Sequence, residues 1–232
     1  MKIHGLQKMT LLDFPGRVAC TVFLGGCDLR CPFCHNAELI DGTAPAVMEE
    51  EELLAFLRKR KGLLDGVAVT GGEPLLRGEA MIRLAEKIRE LGYPLKLDTN
   101  GTHPELLRRM IDRGLVAYAA MDIKNSPERY AETCGLAEMD LGPVRESAAL
   151  LAEGRTDYEF RTTTVAELHD GDSFRGIGEW IRGAKRYYLQ KFTDRDTVPF
   201  AGFHAPADEA MEAYLAIARE YVPAAELRGA GA

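Results

Sequence analysis

Two spacings of apolar residues alternate along the chain. Short apolar and β-branched runs recur at Arg17–Leu24, Gly66–Thr70, Pro94–Thr99, Leu115–Ile123, Tyr158–Val165 and Arg186–Phe192. Runs of that length and composition predict strands. Between them apolar residues return every three or four positions, as at Leu53, Leu54 and Leu57 within Met48–Lys61, and at Met81, Ile82, Ala85 and Ile88 within Gly78–Leu91. That spacing predicts helices. Further helices are expected over Pro104–Arg113, over 126–133 and 142–153, over Ser173–Gly183 with Asp172 as N-cap, and over Pro206–Tyr221. Gly92 and Gly114 stop two of them in the manner of helix C-terminal glycines. Residues 1–16 read as a leading segment with a turn at Asp13–Gly16, and Pro223–Ala232 as a frayed Ala/Gly-rich tail.

Six strands alternating with helices imply βαβ units, right-handed crossovers and a parallel sheet. The count falls short of the eight strands of a closed barrel. The expected fold is therefore α/β, a single domain over residues 1–232 built as an incomplete (β/α)6 parallel barrel. Its core lies at about 10–195, with the helix near 206–221 outside it.

Composition adds exclusions. Apolar residues make up 46%, enough for a sizeable core. The formal net charge of −7 speaks against a nucleic-acid partner, which needs a basic surface. No apolar run approaches the roughly 18 residues of a membrane span, and Met1–Leu6 lacks the apolar stretch of a signal peptide. The five cysteines are odd in number and clustered, which suits a reducing cytoplasm better than a disulfide framework. Cys20 and Cys134 stand apart and read as packed thiols. His4, His103, His169 and His204 are scattered and read as surface or core residues.

The candidate chemistry begins at Cys27-Asp28-Leu29-Arg30-Cys31-Pro32-Phe33-Cys34-His35-Asn36, where three cysteines fall at C-x3-C-x2-C spacing. A helical stripe is opposed by Gly25-Gly26 and by Pro32. A zinc site with a distant fourth ligand remains open, His35 being the rival ligand. The third reading is an iron–sulfur cluster, normally held by four thiolates, with one iron left open for a ligand. The following strands also end in unusual residues. The second gives Gly71-Gly72-Glu73-Pro74, the third Asp98-Thr99-Asn100, the fourth Asp122 and Lys124, and the fifth Arg161. Strand C-terminal ends form the active face of such barrels. Gly71-Gly72 is either a tight turn or a close backbone approach to a ligand. Glu73 is either solvated or supports that loop. Asp98 and Asp122 are either caps and surface acids or, together, a seat for a small hard cation. Lys124 is either solvated or meets a carboxylate.

At this point the residues resemble the radical S-adenosylmethionine (radical SAM) enzymes. C-x3-C-x2-C follows the first strand and Gly-Gly-Glu-Pro the second, a likeness spanning residues 10–195. Asp13-Phe14-Pro15-Gly16, Cys31–Asn36, Asp98–Gly101 and Asp122-Ile123-Lys124 are similar to activating enzymes of glycyl-radical enzymes. The short form, without extra cysteines between Asn36 and Val67, most resembles the activating protein of anaerobic ribonucleoside-triphosphate reductase. The resemblance implies that Cys27, Cys31 and Cys34 hold a [4Fe–4S] cluster whose fourth iron is chelated by SAM. It implies reductive cleavage to methionine and a 5′-deoxyadenosyl radical, which takes a hydrogen from a glycine Cα of a partner enzyme. A flavodoxin- or ferredoxin-type protein would supply the electron. Phe33 and His35 would lie beside SAM, Gly71 and Gly72 would reach its amino group, and Glu73 would support that loop. Asp122 and Lys124 would lie near its carboxylate and ribose, and Arg161 near the pocket. Asp98, Thr99 and Asp122 match the positions of a monovalent cation in the pyruvate formate-lyase activator.

One position departs from that pattern. The pyruvate formate-lyase activator has a histidine after the sixth strand, where this chain has Phe192. Three other readings stand beside the leading one. They are a pyruvate formate-lyase-type activator, a radical SAM enzyme with a small substrate such as a 7-carboxy-7-deazaguanine synthase, and a non-catalytic zinc or iron–sulfur module. An activator needs an open face, so residues 193–232 are expected to leave the cysteine loop uncovered.

Overall fold

The structure, a computed structural model, describes residues 1–229. Its framework is an eight-stranded sheet. In chain order the strands are β2 (Gly5–Thr10), β3 (Ala19–Leu24), β5 (Gly66–Gly71), β6 (Leu95–Thr99), β7 (Tyr118–Asp122), β8 (Asp157–Thr164), β9 (Tyr187–Lys191) and β10 (Ala225–Arg228). They lie side by side in that order, every neighbouring pair parallel except β2 with β3. A two-stranded antiparallel ribbon, β1 (Lys2–Ile3) with β4 (Met48–Glu49), sits beside it. The helices are α1 (Glu50–Lys59), α2 (Glu79–Glu90), α3 (Pro104–Asp112), α4 (Tyr130–Thr133), α5 (Gly142–Ala152), α6 (Gly171–Trp180) and α7 (Asp208–Tyr221).

Strand side chains alternate between faces, and the alternation sorts the sheet cleanly. Cys20, Val22 and Leu24, Val67 and Val69, Leu95 and Leu97, Ala119 and Met121, Tyr158 and Phe160, and Tyr187 and Leu189 all join one buried core with the helix residues Leu53, Leu57, Met81, Leu84 and Leu107. The intervening residues point to the other, inner face. On the middle strands they include small and charged residues, Ala68, Lys96, Asp98, Ala120, Asp122, Glu159 and Arg161, with Phe23, Tyr118 and Tyr188 among the larger ones. A sheet packed by helices on one face only, with charges on the other, leaves that inner face free for a ligand.

The six expected parallel strands are all present and in the expected order. The structure adds one strand at each end and leaves the sheet unclosed, since β2 and β10 pair with β3 and β9 and not with each other. The leading segment supplies β2, whose hydrogen bonds cover the otherwise open edge of β3. The tail read as frayed supplies β10. Its Arg228 reaches Glu159, which is 0% exposed, through two bonds of 2.5 and 2.8 Å, and Tyr118 Oη donates to the same carboxylate at 2.7 Å. A buried carboxylate has to be paired, and that requirement orders the strand. Residues 230–232 of the expected tail lie outside the described residues. The N-cap of α6 is Asp170, two residues before the one expected. Its side chain accepts from Ser173 N at 2.9 Å and the Ser173 hydroxyl faces Asp170 N, a capping box. No described helix is long and apolar enough to cross a membrane.

Replacing Arg228 by Met leaves Tyr118 as the one described partner of the Glu159 carboxylate. The expected loss is about 2–3 kcal/mol, reduced from the fully buried case because Arg228 is partly exposed. Urea denaturation measures it. Adding Glu159→Gln to Arg228→Met should recover part of the loss, and unchanged stability in the single variant would show that β10 is not held by this pair.

Candidate active site

The site is built on the carboxyl ends of β3, β5, β6, β7 and β8. Cys27, Cys31, Phe33, Cys34, His35, Gly71, Gly72, Asp98, Thr99, Asp122, Lys124 and Arg161 all line one cavity of about 200 Å³. Of the residues expected at the site, only Glu73 is absent from its wall. No described residue after Gln190 lines it. The cysteine loop is nonetheless not left wholly uncovered in the way expected, since residues 199–203 share a neighbouring pocket with Arg30, Cys31 and Pro32.

Gly71 and Gly72 make their close approach to the chain itself. A Cβ on Gly71, which has φ +122°, would lie 2.3 Å from the Leu24 carbonyl oxygen, and one on Gly72 would lie 2.0 Å from that of Gly26. Glycine alone permits this contact. It is closed by Gly72 N donating to Leu24 O and Glu73 N to Gly26 O, both at 2.8 Å. Asn36 Nδ2 adds a bond to Gly71 O at 3.2 Å. Directly below, the buried Glu73 carboxylate accepts from Leu75 N (2.9 Å), Thr99 Oγ1 (3.0 Å) and Asn100 N (2.7 Å). Burial pushes its carboxyl up to about 7 against the pull of these donors. Glu73 is thus a buried brace for the loops.

Asn100 ties the circuit back to the cysteine loop. Its Nδ2 donates to Asp28 Oδ1 at 2.8 Å and lies 3.8 Å from Cys27 Sγ. Burial pushes the Cys27 thiol up to about 12 and raises Cys34 as well, whereas a hydrogen bond from the Cys134 thiol holds Cys31 down. Coordination removes such protons outright. Cys20 and Cys134 are fully buried, as expected, and neither lines the cavity. Among the described residues no three His, Cys, Asp or Glu side chains converge as ligands of a single ion.

The floor is a charge network. Arg161 Nε meets Asp122 Oδ1 at 2.5 Å, and Arg161 Nη2 meets Asp98 Oδ2 at 3.2 Å. Lys124 Nζ meets Asp122 Oδ2 at 2.8 Å, and Lys96 Nζ pairs with Asp98 Oδ1. Burial opposes ionisation of both acids, but Arg161 and the lysines outweigh it and hold the carboxyls below their usual range. Three cations face two carboxylates, which leaves one positive charge over for a ligand anion. The expected cation seat at Asp98, Thr99 and Asp122 therefore meets carboxylate oxygens that already carry side-chain partners. The Thr99 hydroxyl points to the opposite face, toward Glu73.

Phe192 does not line the cavity. It is buried, stacks on the His35 ring at 5.3 Å and meets Phe33 edge-on at 6.4 Å. His35 is further fixed by Thr193 O at 2.6 Å. Residues that sequence reasoning left off the site are Lys96, Thr163 and Gln190, with the cavity-lining Leu29, Ile40 and Thr70. Period-two alternation would have found three of them: Lys96 stands two before Asp98, Thr163 two after Arg161, and Gln190 shares that face on β9.

The profile described as Radical SAM superfamily matches residues 21–172. A Methanocaldococcus jannaschii protein named as a glycyl-radical enzyme activating enzyme is 28% identical over 95% of this chain and 92% of its own. Pyruvate formate-lyase-activating enzyme of Clostridium pasteurianum is 36% identical over 43% of each chain. A 7-carboxy-7-deazaguanine synthase of Thermococcus kodakarensis is 33% identical over 50% of this chain and 53% of its own. A domain of pyruvate-formate lyase-activating enzyme from Bacteroides vulgatus shares the fold, with TM-score 0.58 at 19% identity over 71% of this chain and 99% of that one.

Two variants test the brace. Gly72→Ala should push Gly26 and the cysteine loop aside, so that iron bound after anaerobic reconstitution falls several-fold while circular dichroism stays native. Iron loading equal to wild type would remove the glycine contact from the account. Glu73→Gln turns an amide NH2 toward backbone N–H groups, at a cost of about 1–3 kcal/mol. A carboxyl raised by folding contributes stability below its ordinary value, and that stability is lost as pH rises to about 7. The penalty in urea denaturation should therefore shrink between about pH 5 and about pH 8.

Proposed function

Since the chain belongs to the radical SAM superfamily, we propose that it is an activating enzyme that generates a glycyl radical on a partner protein. Family membership implies a [4Fe–4S] cluster and SAM, and the residues fit both. Three cysteines share one cavity with no fourth cysteine on its wall, a donor set that leaves one iron of a cluster without a protein ligand. The excess positive charge at Lys124 and Arg161 suits a carboxylate. When bound, the cluster would supply the electron for reductive cleavage of SAM, the chemistry that a glycyl-radical activase needs.

The chain's own residues then have defined work. Cys27, Cys31 and Cys34 hold the cluster. Gly71 and Gly72 offer backbone at the cavity wall for the SAM amino group, with Glu73 bracing them from beneath. Lys124, kept charged by Asp122 despite its burial, and Arg161 take the carboxylate end. Phe33 and His35 flank the ligand, and Phe192 fixes both rings, which assigns it a supporting place where the pyruvate formate-lyase activator uses histidine.

The observation that carries the activase reading is coverage. Likeness to the archaeal activating enzyme runs through 95% of this chain, whereas likeness to the deazaguanine synthase covers half. The short cysteine content supports anaerobic ribonucleoside-triphosphate reductase as the first partner to try, with a flavodoxin- or ferredoxin-type donor.

Reduced, reconstituted protein and SAM should give a glycyl-radical signal in electron paramagnetic resonance with a glycyl-radical enzyme. Turnover of a small molecule without that signal in any candidate would favour the synthase-like reading. Cys27→Ala, Cys31→Ala and Cys34→Ala should each abolish SAM cleavage, and Cys134→Ala should retain it. Loss of the cluster in Cys134→Ala would overturn the three-ligand assignment.

A further inference from the structure

We infer that the monovalent cation expected at Asp98, Thr99 and Asp122 is replaced in this chain by a built-in one, the Lys96 ammonium, so that ligand binding does not depend on dissolved potassium or sodium. This rests on the reading that the cavity takes SAM.

Alternation along β6 puts Lys96 on the same inner face as Asp98. Its Nζ pairs with Asp98 Oδ1, and its side chain is 3% exposed, so water does not share that charge. Arg161 occupies the other Asp98 oxygen and one Asp122 oxygen, and Lys124 the last. A hard cation needs several oxygen ligands. All four carboxylate oxygens here face cationic groups. The Thr99 hydroxyl donates to Glu73 on the opposite face and accepts from Gly101 N at 3.1 Å. A further ion would double the buried excess charge from one to two, and uncompensated buried charge is costly. The tethered ammonium also acts at a distance. It fixes Asp98, Asp98 fixes one edge of Arg161, and Arg161 with Lys124 presents the remaining positive charge to the ligand. Lys96 is therefore a positioning residue.

The test uses full-length, anaerobically reconstituted protein. SAM affinity by equilibrium dialysis and the melting temperature are measured in potassium, sodium and choline chloride at equal ionic strength. Wild type should hold its affinity within about twofold across the three salts and show one melting temperature. Lys96→Met, which keeps the stem and removes the charge, should bind SAM roughly tenfold more weakly in choline and regain most of the loss in potassium. Its melting temperature should rise with potassium over choline, and Lys96→Arg should stay salt-independent. A wild-type protein that loses affinity or melts earlier in choline and is restored by potassium overturns the inference. So does a Lys96→Met variant indifferent to both charge loss and salt. No SAM binding in any salt would sink the cofactor reading instead, and the melting arm would still decide the cation question.

Discussion

The site depends on one closed circuit of backbone and side-chain bonds. Gly72 and Glu73 are stitched to Leu24 and Gly26. Glu73 receives Thr99 and Asn100 from the next strand, and Asn100 returns to Asp28 inside the cysteine loop. Three strand ends are thereby locked together, the first two by backbone bonds with the Asn36 side chain added on Gly71 O. Each neutral bond contributes only about 1 kcal/mol, but a cysteine loop has little core of its own. A thiolate set must be held to within fractions of an ångström to bind a cluster, and the circuit supplies that rigidity from the sheet.

The inner face follows a second constraint. Parallel sheets normally bury both faces under helices and carry apolar residues on each. This sheet carries helices on one face and places Lys96, Asp98, Asp122, Glu159 and Arg161 on the other. Such charges persist only when paired, and here the pairing spans five strands, from Lys96 on β6 to Arg228 on β10, with charged members on all but β9. Along β8 the two clusters meet: Arg161 serves the cavity and Glu159, two residues earlier, anchors the last strand. The same inner row thus stabilises the sheet and charges the site.

Much of this was legible in the sequence, and what was not has physical causes. The six parallel strands announce themselves because each must feed apolar residues to one core. Asp98 and Asp122 were found because they stand at strand ends, whereas Arg161, also expected at an end, lies three residues short of the end of β8. Lys96 escaped because one lysine inside an apolar run reads as a solvated edge residue until its partner on the same face is considered. The tail escaped because Ala225–Arg228 has weak strand propensity. Its order comes from Glu159, 69 residues earlier in the chain, and no local pattern reports so distant a pair. The glycines were read as a tight turn or an approach to a ligand, and their close contact with the Leu24 and Gly26 backbone is decided only by where those residues lie.

The unclosed sheet bears on the kind of substrate. In a complete barrel the interior is filled by layers of side chains and access is confined to the loop end. Here the strands stop at β2 and β10, and small residues, Ala68 and Ala120, sit on the inner face beside the charged ones. In the C-terminal segment α7 packs against α6 and β10 pairs with β9, while Thr193 O holds His35 and residues 199–203 adjoin the cysteine loop at Cys31 and Pro32. A small substrate needs enclosure to exclude water, and among residues 193–229 none lines the cavity. A polypeptide loop brings its own walls. An inner face left open along one side leaves room for the polypeptide loop that the proposed activase role requires.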